Sequence, residues 1–321
     1  MKRATTRVAT RRLPDRHIGW IGVGKMGARM CRRALAAGYR LTVLEPVVEN
    51  RAIVVARGAG FASTAAELCD RARVIVLTIP DDSVLREVVL GPDGLCAHVA
   101  PGDIVVDMST VSPRLSAEVA DALGGAGAAF VRAPVSGSTQ LASDGQLTIL
   151  LSGPPEAVRA VEPLLATLST RRLYLGAGEE ARYMKFVLNI LAGSTAAVLS
   201  EALMFGRKGG LSTRAMLDVI ADSIVASPLI EGKRDMLLAR DFDPAFSIQQ
   251  MITDFDLVAD TARAVRAPMM IAGLIRQQFE LARAAGDGER DYFGLLEQFE
   301  RMAGLSPEAP DEVDDTLPET G

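Results

Sequence analysis

The residues His17-Ile18-Gly19-Trp20-Ile21-Gly22-Val23-Gly24-Lys25-Met26-Gly27 set three glycines at Gly-x-Gly-x-x-Gly spacing directly after an apolar run. In that context Gly22 permits a tight turn, Gly24 lets backbone approach a pyrophosphate, and Gly27 lets the following helix pack close to the strand. The N-terminus of that helix attracts the phosphate charge. Beyond the glycines, Met26, Met30 and Ala34 fall on one helical face and Gly38 offers a C-terminal stop, so the motif reads as strand, turn and helix rather than an ordinary glycine-rich loop. The implied ligand is a dinucleotide held by Gly22, Val23, Gly24, Lys25, Met26 and Gly27. Glu45 closes the next apolar run, Leu41-Thr42-Val43-Leu44-Glu45, about twenty residues on, where a carboxylate accepts from both ribose hydroxyls of NAD and repels the extra phosphate of NADP. Pro46 follows where an NADP-selective enzyme often places arginine, and Arg51 is the nearby guanidinium that could still reach a phosphate. NAD is the expected cofactor, with NADP as the alternative.

A nicotinamide implies hydride transfer, and oxidising an alcohol that way releases a hydroxyl proton that a nearby group must take. The only histidines are His17, which enters the first strand at the end away from the cofactor, and His98, in a turn before Pro101; neither is expected to carry the proton. Lys185 stands at the start of an otherwise apolar stretch, 186–199, with Asn189 one turn later on the same face. A lysine facing an enclosed apolar cleft is harder to charge, so its pKa can fall toward the working pH, and Asn189 can orient substrate or ammonium without adding charge. A solvated lysine at a helix start is the plainer reading of the same residue. Ser136-Gly137-Ser138 offer hydroxyls and consecutive backbone N–H groups, which make either an uncharged nest for a carboxylate or simply a turn between strands.

These residues need a scaffold. Residues 73–79 and 104–108 are continuous β-branched and apolar runs, Thr64 and Glu67 have capping-box spacing, and Ser112-Pro113 form an N-cap and first-turn proline ahead of 115–123. Such alternation means parallel strands joined by helical crossovers, an α/β, Rossmann-like doubly wound sheet whose ligand rests at the carboxyl ends of the strands. Those ends carry the glycines, Glu45, Ile79-Pro80, Ser109-Thr110 and 133–138, so Ile79, Pro80 and Thr110 join the cofactor set. From about Lys185 the pattern changes to long helices without strands, at 185–207, 213–226, 246–265 and 269–285. The expected organisation is a disordered basic extension (1–15), a dinucleotide-binding domain (16–180), an all-helical second domain (181–305) and a disordered acidic tail (306–321).

With 321 residues, 49% apolar and 23% charged, the chain is long enough for two sizeable cores and has the composition of a globular protein. A net charge of −5, with no basic residues interleaved with aromatics, argues against a nucleic-acid partner. No unbroken apolar stretch approaches bilayer length, so no membrane partner is expected. Cys31, Cys69 and Cys96 are odd in number and lack a CxxC pair, which suggests neither a disulfide framework nor a metal site and points to reducing cytosol. The N-terminal extension is Arg-rich, a composition shared with organelle transit peptides, and lacks the apolar core of a signal peptide. The final Leu317-Pro318-Glu319-Thr320-Gly321 resembles a sortase recognition sequence without the apolar segment such substrates carry after it, so chance or an appended tag is the expected origin.

Gly22-Val23-Gly24-Lys25-Met26-Gly27, Asp107-Met108-Ser109-Thr110-Val111-Ser112-Pro113, Ala133-Pro134-Val135-Ser136-Gly137 with Gly145-Gln146-Leu147-Thr148, and Lys185 with Asn189 together resemble the β-hydroxyacid dehydrogenase family, which contains 3-hydroxyisobutyrate dehydrogenase and tartronate semialdehyde reductase. The similarity runs in order across 19–305. The resemblance implies a Rossmann-like domain joined by a long helix to a helical domain that forms dimers, a homodimer or homotetramer, and a small carboxylic-acid substrate. It makes Lys185 the catalytic lysine, Asn189 its partner, and Ser136, Gly137 and Ser138 the carboxylate holders. The sequence departs from the family pattern at Arg132, usually aspartate; at Glu179 and Ala181, usually glycines; at Ser138, usually glycine; and at Thr253, usually the lysine of a Lys-Asp pair that keeps Asp254. Two other readings share the scaffold. An imine reductase usually carries aspartate or tyrosine at the Lys185 position and prefers NADPH, against Glu45; a non-catalytic dinucleotide-binding module has no use for Lys185.

Overall fold

The structure is a computed structural model that describes residues 16–308; the basic extension and the residues from 309 onward, with their sortase-like end, lie outside the described residues. Two compact units are divided between Val187 and Leu188.

In the first unit the strands are β1 (His17–Ile21), β2 (Arg40–Leu44), β3 (Gly60–Phe61), β4 (Val74–Leu77), β5 (Ile104–Asp107), β6 (Ala129–Arg132), β7 (Val135–Ser136), β8 (Leu147–Ser152) and β9 (Ser169–Gly176). They form one sheet in the order β3-β2-β1-β4-β5-β6-β8-β7, with β9 also on β8. The run from β3 to β6 is parallel throughout, whereas β8 lies antiparallel to β6 and β7 and parallel to β9. Period-two alternation feeds two cores: Val74 and Val76 join Trp20 and Met30 on one face, while Ile75 and Leu77 join Leu68 and Leu85 on the other. Burial on both faces is why these strands read as unbroken apolar runs. The crossover helices are α1 (Gly27–Ala36), α2 (Val48–Val55), α3 (Ala65–Arg71), α4 (Asp82–Leu90) and α5 (Pro113–Gly125). Thr64, Asp81 and Ser112 cap the last three, each accepting a backbone N–H from the first turn. Two further helices, α6 (Thr139–Asp144) and α7 (Pro155–Leu165), precede the long α8 (Glu180–Lys208).

α8 starts five residues ahead of the expected 185, so Lys185 sits in its second turn rather than at its mouth. Glu180 favours a helix N-terminus, and Arg182 enters the core instead of solvent, which hides the boundary from a reading of polarity. The membrane expectation also needs correction. α8 is 29 residues long with a mean hydropathy of 1.6 in its most apolar window, long and apolar enough by length and composition to span a bilayer, because Lys185, Asn189 and Glu201 interrupt the apolar letters but not the helix. A helix packed in a protein core passes the same test, and 44% of that window is buried in protein.

The second unit is helical, apart from an isolated bridge between Ser247 and Asp291. After α8 come α9 (Thr213–Ala221), α10 (Pro228–Glu231), α11 (Arg234–Ala239), α12 (Ile248–Val265), α13 (Met270–Ala282) and α14 (Leu295–Met302). Their core includes Leu203, Leu237, Phe255, Phe279 and Phe293, and Ser247 with Gln250 forms a full capping box at the start of α12. The α/β Rossmann-like sheet followed by an all-helical region is the architecture expected from the pattern of elements.

Gly27 shows how tightly β1 and α1 approach. A Cβ there would press on the Gly22 carbonyl and on Thr78 Oγ1. Gly27→Ala should therefore lower stability by about 1–3 kcal/mol through overpacking. Urea unfolding checks it, and an unchanged midpoint would show that the contact relaxes freely.

Candidate active site

The parallel strands β1, β2, β4, β5 and β6 end at one edge, and lateral hydrogen bonds join the loops that follow them. Gly22, at φ +83°, donates its N–H to Leu44 O. Thr78 after β4 donates its hydroxyl to Gly22 O and accepts from Trp20 Nε1 at 2.8 Å. Ile79 N donates to Ser109 Oγ at 3.0 Å, tying the β4 and β5 loops. Pro80 is exposed and Thr110 half-buried on the same edge.

Two observations fit a dinucleotide here. A Cβ on Gly24 would meet no protein atom within 4 Å, so the steric opening faces away from the protein, where a pyrophosphate needs room. The first turn of α1 carries no acidic residue and no side-chain cap, which leaves its positive end for an anion. Lys25 is exposed and Met26 half-buried beside it, while Val23 is buried. Glu45 is buried, with Oε2 accepting Val23 N at 2.7 Å and Oε1 accepting Val47 N at 3.0 Å. Each oxygen keeps a further lone pair, so the carboxylate both pins the glycine loop and can accept from a ribose. Arg51 donates to Glu45 O at 3.4 Å and lies over the Phe61 ring at 5.1 Å.

Lys185 Nζ donates to Val135 O at 3.0 Å, which brings the amine to the residue immediately before Ser136. Ser136 is half-buried in β7, opposite Thr148 of β8. Gly137 has φ +141°, a backbone conformation that favours glycine, and a Cβ there would crowd the side-chain ends of Leu147 and Leu141. Ser138 Oγ accepts Leu141 N at 3.3 Å as the N-cap of α6. In the second unit Asn189, one turn beyond Lys185 on α8, is buried and donates Nδ2 to Asp254 Oδ2 at 2.5 Å. Thr253 is exposed and its hydroxyl donates to Gln249 O. His17 shares a hydrogen bond with Thr42 Oγ1 at the start of β1, and His98 is exposed in its turn.

Two of the departures from the family pattern explain each other. Arg132 donates to Glu179 Oε1, with side chains only 6% and 16% exposed, and the guanidinium also reaches Ser116 Oγ. Placing glutamate at a glycine position thus supplies the counter-charge for placing arginine at an aspartate position. A third buried charge, Arg182, was not singled out by sequence. Its sequence gives little signal, because Glu179 and Glu180 stand just before it and the run of charges reads as a solvated helix start.

A glycine-rich dinucleotide loop at a parallel sheet edge, with a lysine anchored on the same domain, defines an NAD(P)-dependent oxidoreductase. Comparison with known proteins agrees. Residues 17–176 match the NAD binding domain of 6-phosphogluconate dehydrogenase, and residues 176–299 match the family described as NAD-binding of NADP-dependent 3-hydroxyisobutyrate dehydrogenase. A 2-(hydroxymethyl)glutarate dehydrogenase of Eubacterium barkeri is 30% identical over 90% of this chain and 96% of its own length. Glyoxylate/succinic semialdehyde reductase 1 of Arabidopsis thaliana is 29% identical over 87% and 97%. The crystal structure of a 3-hydroxyisobutyrate dehydrogenase from Salmonella typhimurium superposes with a TM-score of 0.79 at 27% identity, covering 88% of this chain and 99% of that one. The chain belongs to the β-hydroxyacid dehydrogenase family, and its cofactor is NAD(P).

The Arg132–Glu179 pair yields a double-mutant test. Arg132→Met leaves a buried carboxylate without its cation and should cost about 3–5 kcal/mol, while adding Glu179→Gln should recover most of that loss. Unfolding free energies of the four proteins measure the coupling. A double variant no more stable than Arg132→Met alone would show that the charges are not paired in solution.

Proposed function

We propose that the protein interconverts a short β-hydroxy acid, of the 3-hydroxyisobutyrate kind, and its semialdehyde or keto acid, with Lys185 as the proton carrier. The observation that carries this reading is the 3.0 Å bond from Lys185 Nζ to Val135 O, which holds the amine at the edge of Ser136 and Gly137. Bound NAD(P) supplies the hydride chemistry. Lys185 takes the hydroxyl proton when the alcohol is oxidised and returns it when the carbonyl is reduced. The Ser136 hydroxyl and the backbone at Gly137 hold the carboxylate without placing a second cation near the amine. Asn189, one turn on along the same helix and donating to Asp254, is the proposed partner of Lys185. The relatives named for glyoxylate, succinic semialdehyde and 3-hydroxyisobutyrate support a small acid with a nearby carbonyl or hydroxyl.

NAD is the favoured form because the Glu45 charge is held rigidly beyond β2, where it repels a ribose phosphate. Arg51 supports NADP as the alternative. A homodimer or homotetramer is supported by an apolar stripe along α8, where Leu191, Val198 and Phe205 are 60%, 62% and 77% exposed.

Absorbance at the reduced-nicotinamide band, followed with 3-hydroxyisobutyrate, 3-hydroxypropionate, glycerate and succinic semialdehyde and with both cofactors, tests the reading. Lys185→Ala should lower kcat by about 10²–10⁴-fold with cofactor affinity unchanged. A variant as active as the wild type removes the lysine from the mechanism. Cofactor binding without turnover of any of these acids removes the substrate class.

A further inference from the structure

Arg182 is the most thoroughly bonded buried side chain near the amine. It is 1% exposed, and all three guanidinium nitrogens are engaged: Nη1 donates to Ser109 O at 2.7 Å, Nη2 to Asp107 Oδ2 at 2.5 Å and Nε to Ser116 Oγ at 3.2 Å. Asp107 uses its other oxygen, Oδ1, to accept Ser109 N at 3.0 Å, and Ser109 Oγ accepts Ile79 N at 3.0 Å. An unbroken set of polar contacts therefore runs from the first turn of α8 to the loops after β5 and β4. Those are two of the loops on the cofactor edge. Three residues beyond Arg182, the same helix carries Lys185, anchored independently to Val135 O.

A buried ion pair gives little net stability over apolar side chains of the same volume, so stability alone does not account for this one. Its geometry does something apolar packing cannot. A guanidinium fork fixes direction as well as distance, and here one prong grips a side chain and the other the main chain of the same loop. We propose that Arg182 is a positioning residue: through Asp107 and Ser109 it sets the register of the α8 turn bearing Lys185 against the cofactor loops at Ile79 and Ser109. Lysine at this position would keep the charge but lose the fork. The inference rests on the proposed function for its catalytic consequence, though not for its geometric one.

The test uses the full-length protein and two variants. Arg182→Lys keeps the charge opposite Asp107. The double variant Arg182→Met with Asp107→Asn removes both charges and keeps an oxygen for Ser109 N. Acetylation of Lys185 by an N-hydroxysuccinimidyl ester, located by fragment mass spectrometry with and without NAD⁺ or NADP⁺, reports where the amine sits relative to the cofactor whether or not a substrate is known. In the wild type, the cofactor should slow acetylation of Lys185. In both variants that protection should largely disappear while cofactor affinity stays within about threefold, and kcat on the best hydroxy acid should fall by about 100-fold with little change in KM, the scale of a misplacement near 1 Å. Variants that keep wild-type protection and wild-type kcat overturn the proposal. So does a parallel fall in cofactor affinity, kcat and melting temperature, which is what a merely structural ion pair would give. If the wild type turns over no hydroxy acid while the variants still lose protection, the proposed substrate class fails and the role of Arg182 stands.

Discussion

Two ion pairs built on the ends of β5 and β6 are the constraint around which this sheet edge is organised. Asp107 pairs with Arg182 and Glu179 with Arg132, while the hydroxyl of Ser116 lies within reach of both guanidinium groups. Removing these ions from water is tolerable because they cancel in pairs, although Glu179 Oε2 is left without a hydrogen-bond partner. The pairing with Asp107 is what allows Arg182 in the first turn of α8 to be buried, since it would otherwise be drawn out to solvent. The helix can thus begin against the sheet and run on unbroken for 29 residues, carrying Lys185 within its second turn and Asn189 within its third.

The dinucleotide loop depends on a second kind of constraint, neutral and directional. Trp20, Thr78 and Gly22 form a short relay in which the indole N–H donates to the threonine hydroxyl and the hydroxyl donates to the glycine carbonyl. Glu45 holds the other side of the turn through Val23 N. With both flanks fixed, the glycine loop reaches a ligand already shaped, and binding need not pay the entropy of ordering it. Glu45 therefore combines a structural task with the ribose contact that its place after β2 suggests. Replacing it would disturb both, which is why cofactor preference in this chain is not a matter of charge alone.

Much of this was legible in the sequence where local and long-range requirements coincide. The strand, turn and helix around Gly22, Gly24 and Gly27 announce themselves because each glycine is needed both for the backbone and for a neighbour. The apolar runs at β4 and β5 are plain because both faces of a parallel strand are buried. The amine at Lys185 could be singled out but not anchored, since its partner is a main-chain carbonyl fifty positions earlier that no side-chain pattern reveals. Strand β7 was legible only as a nest or a turn at 136–138, and β9 lacks the unbroken apolar run of β4 and β5 because it is largely exposed. The start of α8 was hidden for a related reason. Glutamates and arginines close together read as solvent, and only the fold shows that Arg132 and Glu179, far apart in the chain, neutralise each other. Asp254 as the partner of Asn189 was likewise a contact between helices rather than a spacing.

If Lys185 carries the proton as proposed, it must live in two charge states without losing its place. A carbonyl oxygen suits that requirement, because it accepts an N–H from an ammonium and from a neutral amine alike. Anchoring Lys185 to Val135 O therefore fixes the amine in either state. Ser136, immediately after Val135, is neutral, and the strong cations Arg132 and Arg182 of the same unit are paired with Glu179 and Asp107. In the proposed mechanism a carboxylate substrate would favour the ammonium form and a positively charged oxidised nicotinamide the neutral amine, by charge alone.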